Sequence, residues 1–116
     1  MTLNEIVKLL DATVLSGSPS LDQRVDCAFA SDLMSDVLAY VKENTVLLTG
    51  LINKQSIRTA EMLDLPCIVF VRGKRPDSDS IALAQELDLP LLCTCFTMYE
   101  ACGRLFAAGM PSAKLG

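Results

Sequence analysis

The sequence predicts an α/β domain, a three-layer sandwich with a mainly parallel central sheet flanked by helices, and three observations carry that prediction. The first is a repeat: Leu63-Asp64-Leu65-Pro66 runs into Cys67-Ile68-Val69-Phe70-Val71, and Leu87-Asp88-Leu89-Pro90 recurs ahead of Leu91-Leu92-Cys93. Each copy follows an amphipathic helical stretch, so one helix–turn–strand unit occurs twice in succession. Proline closes the helix and opens the strand, because it lacks an N–H and forces its predecessor toward extended backbone. The second is the alternation of helical and strand periodicity, the pattern of a parallel sheet covered by helices. The third is composition: 51% of residues are apolar but only 5% aromatic, which suits an aliphatic α/β core.

The elements follow in order. Leu3, Ile6, Val7, Leu9 and Leu10 recur at helical spacing and predict a first helix. Residues 12–15 read as a short strand, ended by the turn cluster Ser16-Gly17-Ser18-Pro19-Ser20. Residues 25–29 read as a second strand, and 31–40 as a helix with Ser31 as N-cap and Asp32 in its first turn. A β-branched strand over 45–49 stops at Gly50, a helix spans 55–63, and the strand over 67–71 follows. Arg72-Gly73-Lys74-Arg75-Pro76 is a loop. Asp77 or Ser78 then caps a helix running to Leu87. Residues 91–94 form the last strand and 96–108 the last helix, stopped by Gly109. No linker divides the chain, so residues 1–116 are expected to form one domain, with 110–116 a frayed tail.

Composition excludes several functions. The net charge of −4 gives no electrostatic drive toward nucleic acid or an anionic membrane. No run approaches the roughly eighteen apolar residues of a membrane span, and the N-terminal residues do not read as a signal peptide. A cytoplasmic location is expected. The five cysteines, Cys27, Cys67, Cys93, Cys95 and Cys102, sit mostly in apolar runs, as fits a reducing compartment. There is no histidine, which removes Ser-His and Cys-His nucleophile pairs and imidazole metal sites. Neither a Gly-x-x-x-x-Gly-Lys-Ser/Thr loop nor Gly-x-Gly-x-x-Gly is present. Catalytic residues, metal ligands and cofactors are therefore expected to be none.

Binding residues are best sought where parallel strands end, because ligands of open α/β sheets sit outside the carboxyl ends. Those ends carry Ser31, Asp32, Thr49, Gly50, Arg72, Gly73 and Thr94. Small residues there let backbone N–H groups reach a ligand, and Arg72 offers a bidentate contact to an anion. Arg72-Gly73-Lys74-Arg75 also concentrates three of the ten basic residues in four positions. That points to an anionic partner or, equally, to a solvated loop. Asp32 and Asp36, four apart, would share a helix face, but a solvated helix start explains them without chemistry. Cys93 and Cys95 would share one face of a strand. With Cys102 they offer three thiolates without the paired Cys-x-x-Cys knuckles of zinc sites, so an inert role is expected.

The stretch from Ala28-Phe29-Ala30-Ser31-Asp32-Leu33-Met34-Ser35-Asp36-Val37-Leu38-Ala39 resembles a DRTGG domain. Ile68-Val69-Phe70-Val71-Arg72-Gly73-Lys74-Arg75-Pro76, residues 81–94, and Phe96-Thr97-Met98-Tyr99-Glu100-Ala101 extend the resemblance, which covers residues 3–109. Such domains occur beside CBS pairs, in some phosphotransacetylases and as small separate proteins often encoded near iron-only hydrogenases. The N-terminal domain of HPr kinase is similar. The resemblance implies an α/β regulatory module, dimeric and without established chemistry; the kinase's phosphate loop belongs to a different domain. The chain departs from the family's name elements, with Leu51-Ile52-Asn53 after Thr49-Gly50 and Val71-Arg72-Gly73 where relatives carry Thr-Gly-Gly. The expected function is thus a noncatalytic sensor of a small anionic ligand or nucleotide, acting as a homodimer. The alternative is an adaptor for a protein partner in a redox or hydrogenase system.

Overall fold

The computed structural model describes residues 1–42 and 44–114. Helix α1 (Leu3–Leu10) opens on a reciprocal cap: the Thr2 hydroxyl accepts from the Glu5 N–H, and the Glu5 carboxylate accepts from the Thr2 N–H. The chain continues through β1 (Thr13–Ser16), a 3-10 turn (Ser18–Ser20), β2 (Cys27–Ala30), α2 (Met34–Tyr40) and β3 (Thr45–Thr49). Then follow α3 (Lys54–Met62), β4 (Cys67–Phe70), α4 (Ser78–Glu86), β5 (Leu91–Cys93) and α5 (Met98–Ala107).

These strands form one sheet in the order β1-β5-β4-β3-β2. β2 through β5 are parallel neighbours, and β1 joins β5 antiparallel at the edge. Because side chains alternate along a strand, the sheet sorts its apolar residues onto two faces. Val46, Leu48, Val69 and Leu92 pack with Leu3, Ile6 and Leu10 of α1 and with Ala101 and Leu105 of α5. Leu47, Ile68, Phe70 and Leu91 pack with Met34 and Val37 of α2, Ile57 and Ala60 of α3, and Ala84 of α4. The three-layer sandwich with a mainly parallel sheet is thereby realised.

The repeated Leu-Asp-Leu-Pro motif is a helix-stop device. Asp64 and Asp88 adopt left-handed backbone, φ 53° and 54°. Their N–H groups bond back to Glu61 and Gln85, and those of Leu65 and Leu89 reach the carbonyls of Ala60 and Ala84. Each is a Schellman closure, with the second leucine buried over the last helical turn. The same closure ends α5, where Gly109 (φ 100°) turns and Met110 bonds the Leu105 carbonyl.

Two expectations are corrected. α2 starts at Met34 rather than Ser31, with Leu33 at the cap and no side-chain capping bond. The Ser31 N–H instead extends the β2–β3 ladder to the Leu48 carbonyl at 3.1 Å. The Ser31 hydroxyl accepts from the Leu33 N–H, so residues 31–33 form a local turn and Asp32 stands outside the helix, not on a face shared with Asp36. The tail is also ordered further than expected. Met110 is buried, the Pro111 carbonyl accepts from Ala28, and Ala113 donates back to Ala28, so the tail lies parallel along the outer edge of β2. Unpaired edge groups of β2 supply the reason. Residues 115 and 116 of the expected tail lie outside the described residues.

Candidate functional site

The carboxyl ends of β2, β3, β4 and β5 lie side by side in that order. After β3, the Gly50 N–H donates to Asp32 Oδ1 at 2.6 Å, and the Thr49 hydroxyl donates to the same oxygen at 3.0 Å. Thr49 Oγ1 accepts in turn from the Leu51 N–H at 3.1 Å, which fixes the direction of its proton. Two converging donors with a carboxylate oxygen between them make an anion cradle. The Asp32 carboxyl is held below its ordinary range, first by the Gly50 N–H and then by the Thr49 hydroxyl and the charges of Arg72 and Lys74; partial burial opposes them.

Arg72 closes the cradle from the β4 side. A Cβ on Gly50 would run into Arg72 Nη2 and lie 3.3 Å from Cζ, so glycine here lets the guanidinium lie over the backbone. Among the described residues five non-glycines have positive φ; four are Asp or Asn, which tolerate it, and the fifth is Arg72, at 61°. Its backbone is held there by an N–H bond to the Phe96 carbonyl at 2.8 Å. A long side chain in left-handed backbone costs about 1 kcal/mol or more. The ion pairs among the described residues are Arg58–Glu61 and Arg104–Glu100, so Arg72, Lys74 and Arg75 take part in none. The basic segment, residues 72–75, is exposed.

The other expected site residues divide. Ser31 spends its hydroxyl on its own turn. Gly73 (φ 69°) donates to the Thr94 carbonyl at 2.8 Å. Thr94 does not join the cradle: its hydroxyl donates to the Leu10 carbonyl at 2.6 Å and accepts from the Phe96 N–H. The loops after β4 and β5 leave the sheet toward α4 and α5 on opposite faces, where a ligand crevice would open in many α/β sheets. Here the bonds from Arg72 and Gly73 to Phe96 and Thr94 stitch that crevice shut. The cradle therefore sits one strand over, between β2, β3 and Arg72.

The cysteines differ in exposure: Cys67 and Cys93 are buried, Cys27 and Cys102 half-buried and Cys95 exposed. β5 ends at Cys93, whose thiol faces the Lys74 carbonyl, and Cys95 beyond the strand is exposed. Burial pushes the Cys67, Cys93 and Cys102 thiols up. Among the described residues no group of three His, Cys, Asp or Glu could hold a metal ion.

Sequence reasoning missed an apolar groove of about 540 Å³ between β2 and α5. Ala28, Ala30, Leu48, Cys102, Phe106 and Met110 line it, and it shares no residue with the cradle. Its rim bears Tyr99, 91% exposed, and Phe106, 73% exposed. Tyr99, Gly103 and Phe106 recur at i, i+4 and i+7, a second apolar stripe on α5 opposite Ala101 and Leu105. That spacing was the available signal.

The DRTGG domain family matches residues 5–108. No curated protein matches the chain. Among solved structures, the fold is similar to the crystal structure of the CBS and DRTGG domains of the regulatory region of Clostridium perfringens pyrophosphatase, complexed with its activator, diadenosine tetraphosphate. The TM-score is 0.73 at 15% identity, over 95% of this chain and 47% of that one, so the chain spans about half that structure's length. No helix among the described residues is long and apolar enough to cross a membrane.

Proposed function

Because the chain belongs to the DRTGG domain family, we propose that it works as a noncatalytic regulatory module that senses a small anionic ligand as a homodimer. The observation that carries this reading is the cradle of Thr49 hydroxyl and Gly50 N–H beneath an Arg72 guanidinium with no ion-pair partner among the described residues. An arginine in strained backbone, aimed over a glycine, is a costly arrangement unless it meets a ligand. A nucleotide is the first ligand class to test, since the regulatory region of similar fold is complexed with a dinucleotide activator. A cytoplasmic setting suits such a ligand.

Thermal unfolding against nucleotides, acyl phosphates and inorganic pyrophosphate tests the reading. A ligand at a hundred times its Kd adds about 2.7 kcal/mol, several degrees for a domain of this size. Arg72→Ala is expected to abolish the shift while the protein stays folded. A ligand whose shift is the same in Arg72→Ala would overturn the assignment of the site. For the homodimer, the α5 stripe of Tyr99, Gly103 and Phe106 is the supporting surface. Phe106→Glu is expected to give the monomer mass by light scattering.

The groove also favours a second reading, an adaptor whose protein partner, in a redox or hydrogenase system, covers α5. That reading gains if no anion in the panel stabilises the protein and the wild type is monomeric.

A further inference from the structure

The cradle at the end of β3 already holds an anion, and that anion belongs to the chain. We propose that Asp32 is an internal competitor: its carboxylate occupies the place on the Thr49 hydroxyl and Gly50 N–H that a ligand's phosphate or carboxylate takes, so ligand binding and anchoring of the β2–α2 turn exclude each other. This rests on the reading of the strand-end cradle as an anion site.

The chemistry of the partners supports it. The Gly50 N–H and the Thr49 hydroxyl point at one oxygen, Oδ1, at 2.6 and 3.0 Å, and an N–H with an O–H selects an acceptor. The two cationic side chains nearest in their effect on that carboxylate, Arg72 and Lys74, make no ion pair with it, so attraction to it is spread and solvated. A ligand oxyanion entering over Gly50 gains the same two donors plus direct contact with the guanidinium, which Asp32 does not make. Asp32 sits on an exposed turn, so its carboxylate can leave toward water without opening the core.

The consequence lies in what Asp32 otherwise holds. Residues 31–33 join β2 to α2, and α2 has seven residues and no side-chain cap. Apart from the Ser31 hydroxyl, which bonds only within the turn, the Asp32 carboxylate is the side-chain tether from this turn to the rest of the sheet. Displacing it frees residues 31–33 ahead of α2, where Leu33 is already exposed, while Met34 keeps the first turn of the helix packed on the sheet. Occupancy of the cradle is thus converted into freedom of the β2–α2 turn, which is what a sensor needs to report.

Inorganic pyrophosphate is the probe, titrated calorimetrically into the wild type and into Asp32→Ala, Asp32→Asn, Asp36→Asn and Arg72→Ala. Asp32→Ala is expected to bind at least tenfold more tightly than wild type, and Asp32→Asn, whose amide oxygen still accepts but carries no charge, to bind more tightly than wild type by a smaller factor. Asp36→Asn, which removes a charge nearby but none from the cradle, is expected to change affinity less than threefold. In wild type, the amide resonances of Gly50 and of residues 31–33 are expected to move together with saturation; in Asp32→Ala, Gly50 moves alone. Asp32→Asn keeps the side-chain size and guards against a folding defect in the alanine variant. If Asp32 variants bind no more tightly while Arg72→Ala loses binding, the anion site stands and the competition is refuted. If Asp36→Asn tightens binding as much as the Asp32 variants, the effect is general charge and the competition is again refuted. If no variant binds pyrophosphate, the anion-site reading falls and the competition with it.

Discussion

Replacing Thr94 by valine separates a structural role from a binding one. The substitution keeps shape, so no cavity forms, and it removes one buried hydroxyl. That hydroxyl donates to the Leu10 carbonyl at 2.6 Å, tying the end of α1 to the end of β5 across 84 residues, and accepts from the Phe96 N–H at 3.3 Å. An unsatisfied buried carbonyl costs roughly 1–3 kcal/mol, and the longer bond to Phe96 adds about 0.5 kcal/mol. Unfolding entropy near 2.1 cal/mol/K per residue makes each kcal/mol worth about 4 °C in a chain of this length. Thr94→Val should therefore lower Tm by about 6–14 °C and shift the urea midpoint without changing the slope. Pyrophosphate affinity, measured where the variant is folded, should stay within about threefold of wild type. Unchanged stability together with lost anion binding would refute the reasoning, because Thr94 would then belong to the ligand and not to the closure of the sheet edge.

Three further outcomes are expected. Arg72→Gly relieves left-handed backbone and should raise stability by up to about 1 kcal/mol while abolishing the anion response; a loss of stability in thermal melts would show that φ is not strained there. The Asp32 carboxyl titrates below its ordinary 3.8 in the folded state, so the native protein holds fewer protons than the unfolded one in that window. Its contribution is full above the unfolded value and is lost as pH falls through the folded value. Between about pH 5 and pH 2 the urea midpoint of wild type should thus fall more steeply than that of Asp32→Asn, and parallel profiles would count against the cradle. Among the thiols, exposed Cys95 should react first with an aromatic disulfide, and buried Cys67 only at the rate of global unfolding, read by mass after digestion.

Much of this protein is legible in its residues because local chemistry decides it. The apolar spacing of Leu3, Ile6 and Leu10 predicts the helix that is α1, and the β-branched run at 45–49 places β3. Leu-Asp-Leu-Pro stops two helices because an aspartate tolerates the left-handed turn and the proline cannot continue the ladder. The alternation of these units selects the three-layer sandwich, and the ends of the strands gather Asp32, Thr49, Gly50 and Arg72 at one edge. Only the tertiary structure decided what those residues do there. Ser31 and Asp32 have good helix-start chemistry, yet the neighbouring strand offers the Ser31 N–H a ladder partner and the Asp32 carboxylate two donors, and those non-local bonds outweigh a local cap. Thr94 reads like Thr49 in sequence. It is taken out of the site because α1, more than eighty residues away, ends with a buried carbonyl that needs its proton. Hydrophobic period and turn chemistry are properties of neighbours in the chain; which donor meets which acceptor is a property of neighbours in space.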